Sequence, residues 1–340
     1  MIALDALASL YGAAVAARLS AYRHRLLPVR RAGRPVLSVG NVAAGGTGKT
    51  PFVRWLAGEL LARGQRPSIL TRGYGRKSRG TVVVSDGAGA VASVRDSGDE
   101  PALLARALPS VPIVAEASRM RGARRAEEIQ PSIALHVLDD GFSHVALERD
   151  LDIVLLDAAS PDAGGALLPA GRLREPLASL ARADLLVVTK TEQADPSRAR
   201  ALAARWAPGV PVYHAATRVL GIRDRAGLAV EAADLPGATC VAVAGLAHPE
   251  AFFATLARLG IEPAAALAFR DHEPYGPMAL GRIEKAAEES GATAVVTTEK
   301  DAVKLDGRLA FPLFRVAVDM PVLEPGFVTE ALARLAQRPS

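Results

Sequence analysis

The segment Ser38-Val39-Gly40-Asn41-Val42-Ala43-Ala44-Gly45-Gly46-Thr47-Gly48-Lys49-Thr50 constrains this chain more than any other. An apolar β-branched run enters a glycine-rich turn and Gly-Lys-Thr follows. Pro51 then stands near the start of a helix, where a missing N–H costs little. The order is that of a strand–loop–helix unit. Its glycines let backbone N–H groups close around phosphate oxygens, and the helix N-terminus adds positive potential. In such a loop Gly45, Gly46, Thr47 and Gly48 form the cradle. Lys49 reaches the β- and γ-phosphates and the Thr50 hydroxyl ligates Mg2+. One position departs from the strict pattern, because its first glycine falls on Ala43.

A phosphate-binding loop needs an acidic partner on a neighbouring strand. The apolar run Ile133–Leu138 ends in Asp139-Asp140-Gly141, which places two carboxylates at the carboxyl edge of a strand. In a doubly wound sheet that edge lies beside the phosphate loop, so both are candidate metal ligands.

From Pro35 onward short β-branched runs alternate with helical stretches. Strands are expected at Val36–Val39, Ser68–Thr71, Thr81–Val84, Val111–Val114, Ile133–Leu138, Asp152–Leu156 and Leu185–Thr189. Helices are expected at Pro51–Ala62, Glu100–Ala107, Arg121–Ile129 and Pro196–Trp206. Unbroken apolar runs such as Ile153–Leu156 suit strands buried on both faces, hence a mostly parallel sheet with helices on both sides. The pattern restarts after about Pro211, which predicts a second, smaller α/β lobe, with Thr217–Gly237 as the connection. The expected organisation is residues 1–34 as an N-terminal segment, 35–210 as a P-loop domain of α/β class, and 211–340 as the smaller domain.

The net charge is +5, and residues 1–34 carry all of it, with Arg18, Arg23, Arg25, Arg30, Arg31 and Arg34 against Asp5 alone. The basic character is therefore local, which argues against a globally basic nucleic-acid binder. Aromatic residues, at 4%, offer few stacking platforms for single strands. A single cysteine, Cys240, excludes an internal disulfide and a cysteine-based metal site. In the N-terminal segment Leu4, Leu7, Leu10, Tyr11 and Val15 recur at helical spacing, followed by the basic run. A secretory signal would put its charge first, and a spanning helix needs about 20 apolar residues. Two readings remain: an amphipathic helix in a membrane interface with arginines near anionic headgroups, or a helix docked on the domain's own core.

Several further motifs accompany the loop. They are Thr-Arg-Gly-Tyr-Gly-Arg at 71–76, Gly-Asp-Glu-Pro at 98–101, Leu-Asp-Asp-Gly-Phe-Ser-His at 138–144 and Leu-Leu-Pro-Ala-Gly-Arg-Leu-Arg-Glu-Pro at 167–176. Phe-Arg-Asp-His at 269–272 and Thr-Glu-Lys-Asp-Ala-Val-Lys-Leu at 298–305 follow. Taken in order along nearly the whole chain, these resemble the tetraacyldisaccharide 4′-kinases of lipid A biosynthesis. The resemblance implies transfer of the γ-phosphoryl of ATP, with Mg2+, to the 4′-hydroxyl of an acylated glucosamine disaccharide 1-phosphate. The product is lipid IVA, made at the cytoplasmic face of the bacterial inner membrane by a peripheral enzyme, which favours the membrane reading of the N-terminal helix.

The resemblance also implies residue roles. Asp99 becomes the candidate general base and His272 its partner, although by itself an Asp at that position is a good helix N-cap. Arg119 and Arg174 are placed near phosphates, Glu175 near Mg2+ with Thr50, Asp139 and Asp140, and Arg72 and Arg76 near the acceptor's 1-phosphate. No protein partner is inferable. Ser143 stands where Gln is expected and Glu273 where His or an aromatic is common. A competing reading is a partitioning or metal-insertion ATPase with a deviant loop. That class carries a lysine just before Gly-Gly, where this chain has Ala44. A second is a non-catalytic membrane scaffold that kept the fold, against which Lys49, Thr50, Asp99, Asp139, Asp140 and His272 stand together.

Overall fold

The computed structural model describes residues 2–232, 235, 239–246 and 248–337. It divides into two compact units, Met1–Thr217 with Met320–Ser340, and Arg218–Asp319.

The first unit opens with α1 (Ile2–Arg23), then runs β1 (Val36–Gly40), α2 (Lys49–Ala62), β2 (Pro67–Thr71), β3 (Val82–Asp86), α3 (Val94–Ser97) and α4 (Asp99–Ala107). It continues with β4 (Pro112–Ala115), α5 (Arg119–Ile129), β5 (Leu135–Asp139), β6 (Leu151–Asp157), β7 (Leu185–Thr189), α6 (Ser197–Trp206) and β8 (Val212–His214). The strands form one sheet in the order β3-β4-β2-β5-β1-β6-β7-β8. All neighbours are parallel except β3 and β4. Every residue of β1, β2, β4, β5 and β7 is buried, which explains why the sequence shows unbroken apolar runs rather than alternation. β1 sits between β5 and β6, so the chain builds outward from it in both directions. The crevice at the carboxyl ends is where such sheets bind ligands.

The second unit contains β9 (Arg218–Arg223), β10 (Ala229–Val230), β11 (Cys240–Gly245), α7 (Pro249–Arg258), β12 (Ala265–Phe269), α8 (Pro277–Ser290), β13 (Ala294–Thr298), α9 (Glu299–Leu305) and β14 (Leu313–Asp319). Its sheet runs β10-β9-β14-β13-β11-β12. The stretch expected to be a mere connection, Thr217–Gly237, therefore supplies two strands. β9 pairs antiparallel along β14, and its only fully buried residue is Ile222, so it has no periodicity strong enough to read. Residues 233, 234, 236 and 237 of that stretch lie outside the described residues.

The chain then returns to the first unit as α10 (Phe327–Gln337). The single boundary expected near residue 211 is replaced by two crossings, and the reason is aromatic. Phe327 is 1% exposed, with its ring 4.9 Å from Tyr213, 6.1 Å from Phe52 and 6.0 Å from Trp55. Phe52 and Trp55 belong to α2, so α10 buttresses the helix that carries the phosphate loop.

The helix α1 answers the N-terminal question in part. Ala8, Tyr11, Gly12, Val15, Leu19 and Tyr22 form a stripe at helical spacing that is buried or half-buried. The Tyr11 hydroxyl donates to the Arg174 carbonyl at 3.0 Å, and Arg18 donates to the Ser143 carbonyl at 3.3 Å. The helix is thus docked, yet Leu7 and Leu10, turned away from that stripe, remain 53% and 68% exposed, and Leu4 near the start of the helix 48%. Among the described residues no helix is long and apolar enough to cross a membrane.

Candidate active site

The loop between β1 and α2 is built by its glycines. Gly48 has φ +81° and caps α2 with no side chain, leaving the first N–H groups of the helix open. Gly45 has φ +118°, and around Gly46 a side chain would meet nothing within 4 Å. The Thr47 N–H turns back to the Gly45 carbonyl at 3.0 Å, while the open backbone at Gly46 and the uncapped start of α2 lie in the same loop as Lys49, the makings of a cradle for phosphate oxygens. Ala43 needs no glycine. It is 8% exposed and bridges antiparallel to Leu173, while the Ala44 N–H donates to the Arg172 carbonyl at 2.7 Å. Thr189, at the end of β7, braces the loop from the other side through its hydroxyl to the Thr47 carbonyl at 2.9 Å.

Asp139 and Asp140 end β5 in different states. Asp140 turns out of the strand with φ +56°, a left-handed conformation that Asp tolerates. Arg174 holds its carboxylate with two hydrogen bonds of 2.7 and 2.8 Å, and Lys49 Nζ lies 3.7 Å from Oδ1. Burial disfavours this charge, but the Arg174 bonds and the Lys49 charge outweigh burial and hold the carboxyl well below the usual range. Asp139 points inward and is 2% exposed, accepting from the Thr71 hydroxyl at 3.1 Å. Burial, then the charges of Glu100 and Asp140, push its pKa up to about 7.

Its other oxygen, Oδ1, is buried without a hydrogen bond. An unsatisfied carboxylate oxygen beside a phosphate cradle fits a hard divalent cation, and the Thr50 hydroxyl in the first turn of α2 is of the same donor class. Among the described residues no three His, Cys, Asp or Glu side chains are grouped to hold a metal by themselves.

Arg119 starts α5 and is 3% exposed. It donates to the Glu116 carbonyl at 2.8 Å and to the Asp139 carbonyl at 3.4 Å, while its Nε has no partner. Burial lowers its pKa to about 10, opposed by Asp139 and Asp140, so it stays charged. Nearby His144 is pushed down to about 4, first by burial and then by Arg119, Arg149, Arg18 and Arg72. A neutral imidazole among four guanidinium groups marks a strongly positive field.

Asp99 is the first residue of α4, half-buried after Gly98. Gly98 has φ +93° and a side chain there would meet the Tyr74 carbonyl at 2.8 Å, so the Gly-Asp-Glu-Pro and Gly-Tyr-Gly motifs are locked together. Glu175, itself buried, turns to the partly exposed Arg182 in an ion pair, its Oε1 left without a hydrogen bond. Arg76 donates to the Ala115 and Gly80 carbonyls at 3.0 and 2.7 Å, so it braces its loop, whereas Arg72 is exposed. Of the unexpected residues, Ser143 offers its carbonyl to Arg18 and Glu273 pairs with Arg270 at 3.0 Å.

The expected site residues thus fall into groups. Lys49, Asp140 and Arg174 are in direct contact, with Asp139 and Arg119 joined just behind them. Asp99 lies in the first unit. His272 lies in the second, in a left-handed conformation with φ +59° after β12, its Nε2 3.3 Å from Lys300 Nζ. Sequence reasoning gave no role to Asn41 or Thr189, both of which contact the loop. The only signal for Asn41 was its place within the motif, since a buried amide has no distinctive spacing.

Comparison with known proteins agrees with this architecture. Residues 1–337 match the family described as LpxK: Tetraacyldisaccharide-1-P 4′-kinase. The tetraacyldisaccharide 4′-kinase of Anaeromyxobacter dehalogenans strain 2CP-C is 46% identical over 94% of this chain and 86% of its own. That of Geobacter sulfurreducens is 40% identical over 96% and 91%. The crystal structure of LpxK from Aquifex aeolicus in complex with ATP superimposes with a TM-score of 0.81 at 33% identity, covering 97% of both chains. With the family matched from end to end and the loop, its carboxylates and its arginines in place, the chain belongs to the tetraacyldisaccharide-1-P 4′-kinase family.

Proposed function

We propose that this chain transfers the γ-phosphoryl group of ATP to the 4′-hydroxyl of a tetraacylated glucosamine disaccharide 1-phosphate, the step of lipid A synthesis that yields lipid IVA. The observation that carries the reading is the contact of Lys49 and Arg174 with Asp140 at the mouth of a glycine-lined loop in a chain of this family. Kinases of this kind rely on positioning and charge neutralisation rather than on covalent chemistry.

In the proposed mechanism the loop N–H groups, Thr47 and Lys49 bind the β- and γ-phosphates. Arg119 and Arg174 face the charge that develops on the transferred group. A Mg2+ ion held by Thr50, Asp139 and Asp140, with Glu175 nearby, would neutralise phosphate charge when bound. Asp99 accepts the 4′-hydroxyl proton as that oxygen forms its bond to the γ-phosphorus. The bond to the bridging oxygen breaks and ADP leaves. His272 assists the same proton transfer. The field around His144, Arg72 and Arg119 supports an acceptor that carries its own phosphate.

The acceptor's acyl chains stay in a bilayer because exposing each CH₂ costs about 0.8 kcal/mol. The exposed leucines of α1 beside the arginines of residues 18–34 favour work at the cytoplasmic face of the inner membrane, on anionic lipids.

The test is incubation of the purified chain with γ-labelled ATP and the acylated disaccharide 1-phosphate. Label is expected in a bisphosphorylated lipid and absent with Lys49→Ala. Release of phosphate to water alone would overturn the reading in favour of an ATPase.

A further inference from the structure

Asn41 is 1% exposed at the end of β1, and both ends of its carboxamide are engaged. Nδ2 donates to the Thr47 hydroxyl oxygen at 2.9 Å. Oδ1 accepts from Lys49 Nζ at 3.1 Å and from the Arg174 guanidinium, which also reaches the Asn41 carbonyl at 3.4 Å. Lys and Arg carry only donors, so Oδ1 must face them and the amide has one workable orientation. Since the Thr47 oxygen accepts the amide proton, its own O–H is left to donate elsewhere.

We propose that Asn41 is a positioning residue for the terminal phosphates of the nucleotide. It is a neutral acceptor that holds Lys49 and Arg174 side by side and turns the Thr47 hydroxyl proton toward the loop's opening. This rests on the reading of the loop as an ATP site. The charged groups around the amide are Lys49, Arg174 and, through them, Asp140. Two cations beside one carboxylate leave a surplus positive charge for phosphate, and the neutral amide aligns the cations without consuming that surplus. A carboxylate at position 41 would pair with both cations and compete with the phosphate oxygens. It would also force the Thr47 hydroxyl to donate inward. A methyl group would remove the alignment without adding competition.

The order of ATP affinities is therefore wild type, then Asn41→Ala, then Asn41→Asp, although Asp preserves the volume of Asn and a purely structural role predicts Asp to be the milder change. The experiment titrates ATP into the full-length wild type, both variants, Arg174→Ala and the two double variants, with melting curves for each. Asn41→Ala is expected to weaken ATP about tenfold and Asn41→Asp more. In the Arg174→Ala background both losses should shrink, because one of the two aligned cations is gone. If Asn41→Asp does not fold, Asn41→Ser against Arg174→Ala gives the same cycle. Asn41→Asp binding ATP at least as well as Asn41→Ala, or losses that simply multiply with that of Arg174→Ala, would overturn the proposal. A wild type that binds ATP but leaves the acylated disaccharide unphosphorylated would remove the kinase reading and leave this one standing.

Discussion

The Arg174 guanidinium grips both carboxylate oxygens of Asp140, at 2.7 and 2.8 Å, across 34 residues of sequence. A planar fork meeting a carboxylate in this way fixes direction as well as charge, which a lysine would not do. Arg174→Lys should therefore lower kcat/KM by about tenfold and Arg174→Ala by about 10²–10³-fold, measured by transfer of labelled phosphate. Because the folded-state pKa of Asp140 is depressed, its contribution to stability is present above the ordinary carboxylate pKa and is lost as pH falls through the folded value. Removing Arg174 should move the acid-unfolding midpoint to higher pH.

Asp139 has the opposite sign. Its folded pKa is about 7, so between the unfolded value of about 3.9 and that point the folded state holds a proton the unfolded state has released. Its contribution makes stability fall as pH rises through that window, by up to about 1.4 kcal/mol per pH unit, and level off above it. Asp139→Asn should flatten the urea-denaturation profile between pH 4 and about 7 and abolish phosphoryl transfer. Binding of Mg2+ with ATP near pH 6 should release a proton, visible as a buffer-dependent heat in calorimetry.

The proposed base predicts a kinetic signature. Asp99→Asn should reduce kcat about 10²–10⁴-fold with little change in ATP affinity. His272→Ala should slow the same step, and the double variant should be little worse than the poorer single one if the two act as a unit. Losses that multiply would separate their roles.

The two faces of α1 predict separable effects. Leu7→Asp with Leu10→Asp should weaken sedimentation with anionic vesicles while leaving ATP binding intact, because both side chains are exposed. Neutralising Arg23, Arg25 and Arg30 should lower vesicle binding in a salt-sensitive way. Tyr11→Phe removes only the hydrogen bond to the Arg174 carbonyl, so it should alter turnover before it alters vesicle binding. Unchanged sedimentation of the leucine variant would move the membrane contact elsewhere.

Phe327→Ala should destabilise the first unit by about 3–5 kcal/mol through loss of a buried ring, read as a lower melting temperature. Its aromatic neighbours Phe52 and Trp55 lie on α2, so ATP should protect the variant less than it protects the wild type.

The sequence made the first unit readable because parallel strands buried on both faces are written as plain apolar runs. The phosphate loop declared itself through chemistry that only glycine, lysine and threonine at that spacing supply. β9 and β10 were not legible, since a mostly half-buried antiparallel pair with one fully buried residue carries little pattern. The two crossings between units were hidden for another reason: α10 looks like any amphipathic helix until Phe327 meets Tyr213, Phe52 and Trp55. In the site, Lys49 and the two aspartates could be named from spacing. The opposite protonation tendencies of Asp139 and Asp140 could not, because they depend on which carboxylate Arg174 reaches.

The return of α10 has a consequence for how the protein is made. The packing around Phe327 closes only after residues 218–319 and Phe327 itself have left the ribosome. During translation the β-sheet that carries the phosphate loop waits, one flank still uncapped, while residues 218–319 emerge and can fold ahead of it. A nascent chain stalled before Phe327 should therefore expose Phe52 and Trp55 to proteases and chaperones. A chain cut just before α10 would then be lost to degradation rather than to a defect in chemistry.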